Sequence, residues 1–216
     1  LVTALLFLVG FILSIPFLWM LLSAFKPNTE LIQIPVRILP QTWTLENFTR
    51  LFTEMNFGIY LRNTLILVGC SLIGLFFNAM AGYSFAKFDF KGNRPLFFLV
   101  LATMMIPGQV TMIPVYLILN QFGLTNTMTG IVLPGLIAAF SIFLFKQFMS
   151  TIPDALLEAA RLDGAGEFYI IFKLVLPMAK PILAVQGILA FIGAWNSFLW
   201  PLIVANSQDL YTLSVG

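Results

Sequence analysis

TLILVGCSLIGLFFNAMAGYSF, residues 64–85, contains no Asp, Glu, Lys or Arg. A helix of about 20 apolar residues crosses the roughly 30 Å hydrocarbon core of a bilayer. Four further runs read the same way, at residues 5–25, 95–119, 128–145 and 181–204, and all are free of charged side chains. A charge at the centre of such a helix costs about 2.5–3.5 kcal/mol, so its exclusion from every run is a strong pattern. Composition agrees: 60% of residues are hydrophobic and 9% charged, against about 45–50% and about 25% in soluble domains. The expected fold is an all-α polytopic membrane protein with five spans. The first run lacks a basic leader and a small-residue cleavage site, and it exceeds the apolar core of a signal peptide, so it reads as a retained anchor.

Several function classes fall away on composition. A net charge of +2 from 11 basic and 9 acidic residues is too small and dispersed for a nucleic-acid footprint. The chain has no histidine, which removes imidazole bases, His triads and His-ligated metals. Its one cysteine, Cys70, forms no internal disulfide and no thiolate cluster, and reads as a small apolar core residue. Neither cofactor nor metal is expected. An intramembrane enzyme would need a nucleophile with a base or metal ligands. An ion-coupled secondary transporter, the alternative function, calls for an intramembrane carboxylate or inverted repeats, and the sequence displays neither.

Basic residues set the sidedness. Lys87, Lys91, Arg94, Lys146, Arg161, Lys173 and Lys180 fall on one side, and Lys26, Arg37, Arg50 and Arg62 on the other. The richer side is expected to be cytoplasmic, together with the N-terminus. The chain then stops outside after its fifth span, at Leu213–Gly216, so a sixth span is expected to follow in the intact protein.

Outside the spans, Pro27, Pro35 and Pro40 forbid a long helix after the first run. Thr44-Leu45-Glu46-Asn47 then resembles a helix start, and Leu45, Phe48, Leu51, Phe52 and Met55 recur at helical spacing. This predicts an amphipathic helix on the outer membrane surface, or a docking platform for an extracellular partner. Asn47-Phe48-Thr49 also fits a glycosylation sequon. The basic turn Lys87–Arg94 reads as a topology anchor. Between Ser150 and Pro181, Thr151 and Asp154 resemble a capping box with Pro153 in the first turn, which predicts a helix over 152–162. Asp163-Gly164-Ala165-Gly166 stops it, and a second helix over 168–175 ends before Leu176-Pro177. Helices this short need packing to persist. Either a partnerless surface helix or an arm that seats on a partner fits.

Neutral polar residues inside the spans are candidates for a solute path or for helix–helix contacts. They are Asn78, Gln109, Gln186 and the cluster Trp195-Asn196-Ser197. Amides hydrogen-bond hydroxyls and an indole face stacks on a sugar ring, so the inventory suits an uncharged polyhydroxylated solute. Asn196 and Gln109 are the favoured lining residues. Pro107-Gly108, Pro114 and Pro134-Gly135 interrupt the third and fourth runs, which points to the path or to packing kinks. Met104, Met105 and Met112 read as flexible core filling.

Glu158-Ala159-Ala160, Gly164 four residues on from Ala160, then nine residues and Leu174-Val175-Leu176-Pro177 resemble the EAA motif of ABC importer permeases. The family pattern has isoleucine where Leu174 stands, a change that keeps apolar volume. Asp163-Gly164-Ala165 resembles the form common in carbohydrate permeases. Lys26-Pro27, Leu45-Glu46-Asn47-Phe48, Asn63-Thr64 and Ala194-Trp195-Asn196 are similar to the smaller permease subunit of sugar importers of the maltose, glycerol-phosphate and arabinose-oligosaccharide type.

The resemblance implies a type I ABC importer transmembrane fold. Residues 1–60 would form the first helix and extracytoplasmic segment, and 61–216 a permease domain incomplete at its C-terminus, with a coupling segment at 150–180. It implies a non-enzymatic subunit of a binding-protein-dependent sugar importer in the bacterial inner membrane. The implied partners are a second permease, two ATP-binding subunits that hydrolyse ATP, an extracytoplasmic solute-binding protein, the sugar and membrane lipid. Glu158, Ala159, Ala160, Asp163 and Gly164 would couple to the ATPases, the alanines by keeping one face small and Glu158 by offering a carboxylate. Asn78, Gln109, Trp195 and Asn196 would lie on the substrate path. No phosphate-binding G-x-x-x-x-G-K-[ST] loop is present.

Overall fold

Residues 2–34 and 37–216 are described by the computed structural model; Pro35, one of the expected helix breakers, lies outside them. The described residues form helices and connecting segments without a β-strand. They divide into two compact units, Leu1–Gly58 and Ile59–Gly216.

In the first unit, α1 (Val2–Ala24) runs through the lone Pro16, and its apolar side chains are exposed along its length. Such a surface is stable only against lipid or another protein. The chain knots at its end. Asn47 Nδ2 donates to the carbonyls of Ala24 (3.0 Å) and Lys26 (2.7 Å), which satisfies orphan acceptors at the helix terminus. Lys26 is buried, with Nζ 4.2 Å from the centre of the Trp19 ring and donating to the Arg37 carbonyl at 2.6 Å. Glu30, in the single turn α2 (Asn28–Leu31), accepts from the Thr42 hydroxyl and from the backbone N–H groups of Gln41 and Thr42. These bonds hold its carboxyl below the ordinary range, the Thr42 hydroxyl contributing most.

The short helix α3 (Glu46–Thr53) begins where the Thr44 hydroxyl accepts the Glu46 N–H. It leaves Leu45, Phe52 and Met55 exposed, as an amphipathic surface helix does. The sequon is a different matter. The Asn47 amide is committed to the end of α1 through both Nδ2 hydrogens, and a glycan, which replaces one of them, would break one bond.

The second unit is built on α4 (Phe57–Lys87), about 46 Å long at 1.5 Å per residue, so it overshoots the apolar core. Its first buried polar pair fastens the chain's last residues: Asn63 Nδ2 donates to the carbonyls of Asp209 and Tyr211, and the Thr64 hydroxyl accepts the Leu213 N–H.

The third apolar run is not one helix. It consists of α5 (Asn93–Met104) and α6 (Gly108–Gln121), bent by 105° at the break. Pro107-Gly108 makes that break, whereas α6 continues through Pro114. Met104 and Met105 face outward, Met105 being 85% exposed, rather than filling a core. The fourth run comprises α7 (Met128–Val132), a 3₁₀ turn at Leu133–Gly135 and α8 (Ala139–Met149).

The fifth run is also divided, into α12 (Lys180–Trp195) and α13 (Leu199–Val204). Pro201 lies in the first turn of α13, where its missing N–H would have had no intrahelical acceptor. Among the described residues three helices are long and apolar enough to cross a membrane, or up to five spans if the bent pairs Asn93–Met104 with Gly108–Gln121 and Glu167–Met178 with Lys180–Trp195 each count as one.

Between α8 and α12 lies the arm: α9 (Asp154–Leu162), α10 (Glu167–Ile170), a π-helical turn at Ile171–Val175 and α11 (Leu176–Met178). The second helix therefore does not stop before Pro177. Leu176 N–H reaches the Ile171 carbonyl five residues back, and this wider turn takes up the strain of a proline inside the helix. Among the described residues two apolar cores result. One joins Leu67 and Val68 to Ile131, Ala194 and Val204; the other joins Ala79 and Tyr83 to Phe145, Leu157, Ile170 and Val175.

Candidate functional site

Two places in the second unit carry the residues singled out by sequence. The first is the arm. Pro153 occupies the N-cap of α9 with no side-chain cap, because the Thr151 hydroxyl donates to the Phe148 carbonyl (2.7 Å) instead of closing a capping box. Lys87 holds this end of the arm in another way. Its side chain is 3% exposed and its ammonium donates to the Ile152 carbonyl and to Asp154 Oδ1 at 2.6 Å, so the last residue of α4 fastens the arm.

At the far end of α9 the chain makes a Schellman turn. The Ala165 N–H bonds the Ala160 carbonyl and the Gly164 N–H the Arg161 carbonyl, both at 3.0 Å, with Gly164 at φ +83°. That backbone conformation is costly for any residue with a Cβ.

A second fastener closes the turn. Arg161 Nε donates to Glu167 Oε1 at 2.6 Å, and the Tyr83 hydroxyl donates to Glu167 Oε2 at 3.2 Å. The Glu167 carboxyl is held below its ordinary range, chiefly by the Arg161 hydrogen bond.

The faces of α9 then separate. Leu157 is fully buried and Ala160 packs on the same core. Glu158, Ala159 and Asp163 face outward. Ala160 therefore serves the arm's own packing, and only Ala159 keeps the outer face small. Beside it, Leu162 is 89% and Phe168 71% exposed. The EAA spacing does not display these exposed apolar side chains, nor the clasps through Lys87, Tyr83 and Glu167. Alternate burial of Leu157 and exposure of Leu162 depends on which helix faces meet.

The second place is a cavity of about 570 Å³, within the roughly 300–1,000 Å³ of small-molecule sites. Its α4 wall is one helical face: Leu67, Ser71, Leu75 and Asn78. Both helix breaks open onto it, through Gly108 and through Pro134 and Gly135. Interrupted helices free backbone groups that need partners, and Asn78 supplies them. Its Nδ2 donates to the Leu136 carbonyl (3.2 Å) and its Oδ1 accepts the Ala138 N–H (3.1 Å). Gly74 permits the close approach, since a Cβ there would sit 2.3 Å from the Leu136 oxygen.

Gln109 and Gln186 also line the cavity. Trp195 and Asn196 are not in its wall. Asn196 Nδ2 caps its own helix on the Ile192 carbonyl, and Trp195 stacks on Phe191 with ring centres 5.5 Å apart; Ser197 and Trp200 are the lining residues there. Cys70 packs at the edge of the first core. Among the described residues no group of acidic, His or Cys side chains could hold a metal.

The chain is 39% identical to the arabinooligosaccharides transport system permease protein AraQ of Halalkalibacterium halodurans, over 96% of this chain and 76% of that protein. It is 37% identical to the diacetylchitobiose uptake system permease protein NgcG of Streptomyces coelicolor, over 99% and 71%. It superposes with a TM-score of 0.90 and 26% identity on a chain of a bacterial ABC transporter involved in the import of the acidic polysaccharide alginate, covering 99% of this chain and 76% of that one. The fold is that of a type I ABC importer permease. Residues 74–215 match the family described as binding-protein-dependent transport system inner membrane component, and the chain belongs to that family.

Proposed function

We propose that this chain is the transmembrane permease subunit of a binding-protein-dependent sugar importer, and that its arm couples the translocation path to ATP hydrolysis by cytoplasmic partners. The observation that carries the coupling role is the outward face of α9. Glu158, Ala159 and Asp163 stand beside exposed Leu162 and Phe168, on an arm pinned to α4 by Lys87 and Tyr83. An exposed mixed face on a rigid mount suits seating in a groove of an ATP-binding subunit, where Leu162 supplies apolar contact and Glu158 a carboxylate for a cation or amide. Gly164 lets the arm turn. The pinned arm then moves as a body with the helix that lines the cavity.

Transport of a sugar is favoured by relatives whose names specify arabinooligosaccharides and diacetylchitobiose, together with a cavity wall that carries amides and hydroxyls but no charged side chain. In this scheme Asn78 organises the break in the fourth run and Gln109 faces the solute. Trp195 and Asn196 end α12 beside the path rather than in its wall. The chain forms half of a heterodimer with a second permease, receives solute from an extracytoplasmic binding protein, engages two ATP-binding subunits and catalyses no reaction itself. It sits in the bacterial inner membrane with its N-terminus and arm in the cytoplasm. Residues 1–60 serve as anchor and outer segment, residues 61–216 as the permease domain, and 150–180 as the coupling segment.

Co-reconstitution with the second permease, ATP-binding subunits and binding protein tests this. Sugar-loaded binding protein is expected to stimulate ATPase activity severalfold, and Leu162→Asp to abolish the stimulation. An ATPase that neither binds this chain nor responds to it would overturn the assignment.

A further inference from the structure

Four polar side chains of the cavity spend their donors within the protein. Asn78 is spent on Leu136 and Ala138. The Trp200 indole N–H donates to the Ile131 carbonyl at 3.1 Å, and the hydroxyls of Ser71 and Thr111 donate to carbonyls of their own helices at 2.9 Å. Gln186 departs from this pattern. It is 2% exposed, its Oε1 accepts the Ser141 hydroxyl at 2.8 Å, and its Nε2 is buried with no hydrogen-bond partner. Buried amide nitrogens are almost always paired, and inside a membrane no bulk water compensates one that is not.

We infer that Gln186, clamped by Ser141, donates its free Nε2 to an oxygen of a neutral hydroxylated solute in the cavity. This rests on the sugar-importer function proposed above and assigns one contact within it. The solute class follows from the wall. No lining residue is Asp, Glu, Lys or Arg, so an ionic solute would meet no counter-charge in a low-dielectric surrounding. A hydroxyl both accepts and donates, so it pairs with the amide whichever of its two ends stays free of Ser141. Ser141 sits on α8 and Gln186 on α12. Their bond therefore holds the amide between two helices beside the break at Leu133–Gly135, and a solute bound there registers the separation of those helices.

The test uses the complete importer in proteoliposomes. Arabinotriose, diacetylchitobiose and lactose are offered, and the sugar taken up is compared with its singly deoxygenated analogues. Wild type is expected to take up at least one analogue about two- to tenfold more slowly, the range of a single neutral hydrogen bond. Gln186→Met should erase that difference by slowing the parent sugar to the analogue's rate. Ser141→Ala, which leaves Gln186 in place but unclamped, should narrow the difference. Discrimination by the binding protein is common to all variants and cancels in the ratio. Persistence of the full ratio in Gln186→Met overturns the assignment of Gln186 alone, and so does an equal slowing of every sugar by the same factor. Wild type that takes up none of the three sugars, although its ATPase responds to binding protein, overturns the sugar function and this contact with it.

Discussion

Asn78, Gly74 and Gly164 show how single residues make the two working parts. Asn78 pairs both backbone groups that the break after Pro134-Gly135 leaves free. Asn78→Leu keeps the size but orphans a carbonyl and an N–H, at about 1–3 kcal/mol for a buried polar group left unpaired. The expected outcome is a lower unfolding midpoint of the solubilised protein, with Asn78→Gln intermediate. Gly164 is required for another reason: at φ +83° a β-branched side chain meets a left-handed backbone penalty of about 1–2 kcal/mol. Gly164→Val should destabilise the arm by that order while Gly164→Asn costs less, which protection of arm amides from hydrogen exchange will show. A change of the same size in both variants would mean that contacts, and not the backbone, set the requirement.

At the scale of elements, the arm carries ion pairs at the two ends of α9. Glu167 has its carboxyl lowered below the ordinary 4.5 by Arg161 first. Its contribution is therefore fully present above about that ordinary value and is lost as pH falls through the lowered one. With the pair more than a third exposed, solvent screening keeps the effect small. Glu167→Gln should lower the unfolding midpoint at pH 7 and flatten its fall toward pH 3 relative to wild type. Identical pH profiles would remove the clasp from the arm's stability.

Element breaks were only partly legible from the chain. Pro107-Gly108 and Pro134-Gly135 pair a residue that cannot donate with one that resists helix, and both pairs end helices. Lone Pro16 and Pro114 do not, since a single missing bond leaves the rest of a helix intact. The π turn that carries the chain through Pro177 has no local signature, because its wider ladder involves residues upstream of the proline. Lys87 likewise carried no mark of its partner, Asp154, which lies 67 positions away.

For the molecule as a whole, charge exclusion over five runs was enough to place the chain in a membrane, since no other solvent tolerates that density of apolar surface. The cavity was legible in its components, Asn78, Gln109 and the glycine-proline breaks, but not in its membership. Asn196 turns back to cap its own helix, and Gln186 becomes distinctive only when its missing partner is seen. The apolar faces of α1, exposed along their length, and of the arm are surfaces that neighbours must cover.

The coupling role is tested most directly by proximity. With Cys70, the only cysteine, replaced by serine, Ala159→Cys is labelled with a photoreactive maleimide in the assembled importer and irradiated with and without ATP. An adduct with the ATP-binding subunit is predicted from Ala159→Cys, with a yield that changes on ATP addition, and none from the buried control Leu157→Cys. Adducts confined to lipid, or no adduct with the ATP-binding subunit, would contradict the coupling role of the arm.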